Sequence, residues 1–147
     1  MAGLVAWVRS WRRRETPGAC FVTWRLAPGQ ALLQPREREI VFRTIRHGHG
    51  SRYHLMAFVV MDDHVHVLVR GTATAAARLA RSWQASAGHQ IQRIHLRQGE
   101  IWNERALVTI LRDDEDMRER AYRILGNPWK RWPFVQRYPW VWDGIEN

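Results

Sequence analysis

The sequence predicts an α+β sandwich of the ferredoxin-like, split βαβ kind. One antiparallel sheet carries two helices on one face, and a further C-terminal helix and tail follow. Three observations support this. Short apolar runs of strand length alternate with longer helix-period stretches in the order β-α-β-β-α-β-α. Only Asp62-Asp63 separates the second and third strands, which calls for an antiparallel hairpin. Glycine and proline punctuate the boundaries at Pro28-Gly29, Gly48-His49-Gly50 and Gly99.

The elements follow in order. Residues 19–26, Ala-Cys-Phe-Val-Thr-Trp-Arg-Leu, are β-branched and aromatic and form the first strand. Pro35 sits where a first helical turn tolerates proline, ahead of a helix over 36–46 with Ile40, Val41, Phe42 and Ile45 as its buried stripe. The second strand spans about 53–61 and the third about 64–70. Thr72 is placed to cap a long alanine-rich helix to about Leu96, with Leu79, Trp83, Ile91 and Ile94 on its apolar side. Residues 101–111 are strand-like, with an interruption at Asn103-Glu104-Arg105. The acidic run Asp113–Asp116 suits the positive end of a helix dipole and opens a third helix, which Asn127-Pro128 is expected to end near Gly126. The aromatic tail 129–147 is expected to wrap the core with little regular structure.

Size and charge limit the function. The 147 residues read as a single domain, 1–147, with a basic arm over 1–17. One cysteine, Cys20, excludes an internal disulfide and fits a reducing cytoplasm. No apolar stretch is long enough to span a membrane, and the N-terminus runs apolar then basic, the reverse of a signal peptide. A cytoplasmic protein is expected. The net charge of +9 points to phosphate polymers as partners. Nearly all of it is arginine, since Lys130 is the only lysine. Arginine grips phosphate bidentately and stacks on bases, although a GC-rich genome would also favour its codons. The nine tryptophans offer surfaces for unpaired bases, or simply core and tail packing.

The most informative segment is His64-Val65-His66, inside the third strand. Residues i and i+2 of a strand project from one face, so the two imidazoles stand side by side and can grip one divalent ion. Ordinary hydrogen-bonded histidines are the alternative. Asp62 and Asp63 can assist from behind the ligands, or serve only the turn.

With the histidines on a central strand, the chain resembles the single-tyrosine HUH transposases (the IS200-like family), and among them most the REP-associated tyrosine transposases. The resemblance is carried by Phe21-Val-Thr-Trp-Arg25, Met61-Asp-Asp-His-Val-His-Val-Leu-Val69, Ile101-Trp-Asn103, Ile124-Leu-Gly-Asn-Pro128, Arg131-Trp-Pro133 and Tyr138-Pro-Trp140, spread over nearly the whole chain. It implies a metal-dependent transesterase that nicks and rejoins single-stranded DNA at hairpin-forming repeats. A helical tyrosine attacks the phosphodiester, giving a 5′-phosphotyrosine link and a free 3′-hydroxyl, with Mg²⁺ or Mn²⁺ as cofactor. By the same resemblance His64, His66 and Asn127 are the metal ligands and Tyr122 is the nucleophile.

The chain departs from the family at that tyrosine. The family places it four residues before the asparagine, where this chain has Arg123, and Tyr122 lies five before. Either a local helix bulge restores Tyr122 to the site, or the protein is a catalytically impaired, domesticated binder of DNA hairpins. A partly buried helix aromatic is the bland alternative for Tyr122. Arg12, Arg13, Arg14, Arg43, Arg46 and Arg131 are expected DNA contacts, with a solvated basic face as the ordinary alternative. Monomer and homodimer both remain open; in a homodimer the tyrosine helix can serve the partner's site.

Overall fold

The computed structural model describes residues 18–144. The basic arm 1–17, with Arg12, Arg13 and Arg14, lies outside the described residues. β1 (Ala19–Arg25), α1 (Pro35–Arg46), β2 (Leu55–Val60), β3 (His64–Arg70), α2 (Ala73–His95), β4 (Leu107–Ile110), α3 (Asp114–Arg131) and β5 (Val141–Asp143) follow one another. The sheet order is β4-β1-β3-β2-β5, antiparallel at every pair. The four strands from β1 to β4 thus have the expected ferredoxin-like order, with β1 and β3 at the centre.

Strand alternation divides the chain into two cores. Val22, Trp24, Val65, Val67 and Phe58 face α1 and α2, where they meet Val41, Ile45, Trp83 and Ile91. Phe21, Val59 and Leu68 face the other way, onto Met117, Ala121 and Ile124 of α3 and onto Tyr138. Three tryptophans belong to the first layer: Trp24 stacks on Trp83 and meets Trp102 edge-on, both at 6.2 Å. These rings are core, which answers one of the questions the composition raised.

Local signals explain most element ends. Thr72 accepts a hydrogen bond from the Ala75 amide at 3.1 Å and caps α2; Asp113 does the same for α3 through Asp116 at 2.9 Å. Thr72→Ala is therefore expected to lower stability by about 1 kcal/mol, measurable by denaturant unfolding. The Asp62-Asp63 turn closes as expected, the Met61 amide donating to the His64 carbonyl at 2.8 Å.

Four expectations need correction. α3 does not stop near Gly126 but runs through Pro128 to Arg131. Pro128 is buried; it has no amide to donate to the Ile124 carbonyl, yet the helix continues past it to Arg131. β4 covers only 107–110, because the chain over 101–106 touches the sheet through a single bridge between Leu26 and Trp102. The tail is not irregular throughout: Val141–Asp143 adds a fifth strand beside β2. The buried stripe of α2 is Ala76, Ala80, Trp83, Ala87 and Ile91, and Ile94 is 64% exposed. Small alanines let α2 lie close to the sheet, and Ile94 falls beyond the stripe.

One buried ion pair ties the helical layer together. Glu37 of α1 is 1% exposed, and Arg97 donates to its two carboxylate oxygens, each at 2.6 Å. His95 stands 3.3 Å from the same carboxylate. Arg97 also donates to the Ala31 and Leu32 carbonyls at 2.6 and 3.0 Å. The residue before it, Leu96, has a left-handed backbone (φ 54°), which ends α2 without a glycine.

Candidate functional site

β3 points His64 and His66 at the α3 layer, on the same side as Leu68. Their rings lie 4.6 Å apart. Each is oriented by a polar neighbour. The His64 Nδ1–H donates to Asp63 Oδ1 at 2.7 Å, which leaves the Nε2 lone pair free to accept. Asn127 meets that Nε2 at 2.9 Å through its amide nitrogen. Amide oxygen and nitrogen exchange places by a flip, so the same side chain can present Oδ1 to whatever His64 Nε2 binds. The register that sets Thr23 opposite His66 puts its hydroxyl 2.8 Å from His66 Nδ1. Phe21 stacks on the His66 ring at 5.0 Å.

The electrostatics favour neutral imidazole. Burial pushes the His66 pKa down to about 3, helped by the positive charges of His64, Arg123, Arg25 and Arg120. His66 is therefore uncharged at neutral pH, the form a metal requires. Burial of the Asp63 carboxyl would raise its pKa. The hydrogen bond from His64 and the charges of His64, Arg131 and Arg25 outweigh that and hold it below the usual carboxylate range.

The donor set fits a divalent ion. Two imidazole nitrogens and one amide oxygen can converge, with a carboxylate behind His64 and a hydroxyl behind His66 fixing the rings. Among the described residues no group of three His, Cys, Asp or Glu side chains could hold a metal.

The expected nucleophile stands elsewhere. α3 is regular α-helix from Asp114 to Arg131, with no π-bulge at Tyr122. Five residues on a regular helix turn a side chain about 140° from Asn127. Tyr122 is 39% exposed. The same helical arithmetic puts Arg123 and Arg120 within about 40° of Asn127, so these two arginines share its face.

The arginines expected to meet DNA are dispersed. Arg43 pairs with Glu39 at 3.0 Å on α1, and Arg46 stacks over Trp142 at 5.0 Å. Both stand on α1, away from the α3 layer. Arg131 donates to Asp62 at 2.9 Å, beside the hairpin turn that carries the histidines. Sequence reading missed Thr23, Arg25, Phe21 and Arg120. Their relation to the histidines depends on the β1–β3 register and on helix docking, which no local pattern encodes.

No family model matches the chain, and no curated protein sequence does either. A solved structure does: the REP-associated tyrosine transposase bound to a REP hairpin, with TM-score 0.69 and 20% identity over 88% of this chain and 79% of that one. The chain has the fold of a REP-associated tyrosine transposase. In this chain His64 and His66 lie on a central strand of that fold, on the side covered by its last helix. At this identity the likeness speaks for the architecture. Among the described residues no helix is long and apolar enough to cross a membrane.

Proposed function

We propose that the protein holds hairpin-bearing single-stranded DNA against its imidazole face, and nicks and rejoins that strand through Tyr122. The observation behind this is the convergence of His64, His66 and Asn127 in the fold of a transposase whose structure contains a REP hairpin. His64 Nε2, His66 Nε2 and the Asn127 amide oxygen would hold Mg²⁺ or Mn²⁺. When bound, that ion supplies Lewis-acid polarisation of a phosphate oxygen. Asp63 keeps the His64 ring in the tautomer this needs, and Thr23 holds the orientation of the His66 ring. The Tyr122 oxygen forms a bond to phosphorus as the bond to the 3′-oxygen breaks; the phenol proton passes to solvent, and the leaving oxygen takes one up from solvent. The products are a 5′-phosphotyrosine and a 3′-hydroxyl, and attack by another 3′-hydroxyl reverses the step. Because Tyr122 points outward, it reaches the phosphate after a shift of α3 or from a second copy of the chain.

That outward position also supports a second reading, in which Arg123 has taken the nucleophile's place and the protein binds hairpin DNA without cutting it. Incubation of the full chain with a labelled hairpin-bearing single strand and Mn²⁺ separates the two. A covalent protein–DNA adduct that disappears in Tyr122→Phe is the expected result. Tight binding with no adduct establishes the binder, and no binding overturns both.

A further inference from the structure

The imidazole site lies among arginines that the ligand set does not use. Arg25 is paired with His64 in the β1–β3 register and shares its face. The Arg120 guanidinium lies 4.9 Å from the centroid of the Phe21 ring, and Phe21 is stacked on His66. Arg123 is one helical turn before Asn127, which touches His64. The carboxylates nearby are already engaged. Asp63 accepts from His64, Asp62 accepts from Arg131, and Glu119 lies 3.5 Å from Arg123 on the exposed side of the helix. Among the described residues, Arg25 and Arg120 have no carboxylate within ion-pair distance.

This arrangement is lopsided for a cation alone. The three candidate ligands are all neutral and only one is an oxygen, whereas Mg²⁺ and Mn²⁺ favour oxygen and anionic partners. Positive charge on Arg25, Arg120 and Arg123 further opposes a lone divalent ion. A phosphodiester reverses both defects: it brings negative charge to the arginines and oxygen to the metal.

We propose that Arg25, Arg120 and Arg123 form an anion seat beside the imidazole pair, so that a nucleic-acid phosphate and a divalent cation bind together and each only weakly alone. The inference rests on the metal reading given above. It assigns these arginines a positioning role toward the phosphate, and it makes metal occupancy depend on substrate. Such coupling is reciprocal: whatever factor DNA adds to metal affinity, metal adds to DNA affinity.

The test is titration of the full-length protein with Mn²⁺, followed by electron paramagnetic resonance of the free ion. It is done with and without a short oligothymidylate, and the oligonucleotide alone is the blank. Mn²⁺ is expected to bind at least about tenfold more tightly when the oligonucleotide is present. In Arg120→Ala/Arg123→Ala that factor should fall toward one, with Mn²⁺ binding in the absence of DNA no weaker than in the parent. Arg123→Gln alone should give an intermediate factor. Equal Mn²⁺ affinity with and without oligonucleotide overturns the anion seat and leaves the metal site standing. A full factor retained in the double variant also overturns it. Absence of Mn²⁺ binding under both conditions overturns the metal reading itself.

Discussion

Arg97→Ala is expected to cost roughly 3–5 kcal/mol, because it strips a buried carboxylate of its partner rather than removing a pair. Glu37 is 1% exposed and the Arg97 side chain 11%, so solvent screens this contact little. After the substitution the Gln34 amide, at 2.8 Å, and His95 would remain beside Glu37, and neither brings a guanidinium's charge. For a chain of this size the loss corresponds to a melting temperature lower by roughly 6–20 °C. Calorimetry on the two proteins checks it. The pH dependence gives a second reading. Burial tends to raise the Glu37 pKa, but the hydrogen bonds from Arg97 and the Gln34 amide, with the charges of Arg97 and His95, bring it below its usual value. A depressed carboxylate pKa gives stability that is present above the unfolded value of 4.5 and is lost as pH falls through the folded one. The gap between parent and variant should therefore narrow on acidification. A gap that stays constant down to the lowest pH at which both still fold would show that the pair contributes through packing alone.

Asp63→Ala should weaken Mn²⁺ binding about 10- to 100-fold in the presence of oligonucleotide, while leaving thermal unfolding nearly unchanged. The carboxylate touches no metal ligand position itself; it fixes the His64 ring and its Nδ1–H tautomer. Asp63→Asn retains an acceptor and should recover part of the loss, a pattern that a merely structural turn residue would not give. Unaltered Mn²⁺ affinity in Asp63→Ala would detach His64 from metal binding.

These residues also show how far a sequence can be read. The alternation in β1 and β3 was unambiguous, since branched and aromatic residues fill one face of each, and both strands were found where expected. The imidazole pair was legible for the same reason, since strand period is a local property, whereas Asn127 came only from the family resemblance. Other features were hidden because they depend on contacts between distant segments. Val141–Asp143 is too short to signal a strand by itself, and becomes one only beside β2. Pro128 looked like a terminator, yet it sits buried inside α3. The Glu37–Arg97 pair joins residues 60 apart in the chain. The one-residue displacement of Tyr122 from the family's position was visible at once. Its consequence, a phenol on the outer side of a regular helix, required the helix to be seen without a bulge.

The two imidazoles ride on the sheet, while the amide that meets them rides on a separate slab of protein. Between these slabs lie Ala121, wholly buried, and its neighbours Met117 and Ile124. The meeting of the Asn127 amide with His64 thus depends on apolar side chains elsewhere on the helix. Exchanging the Ala121 methyl for a larger group would move the amide relative to the imidazoles while leaving every polar residue unchanged.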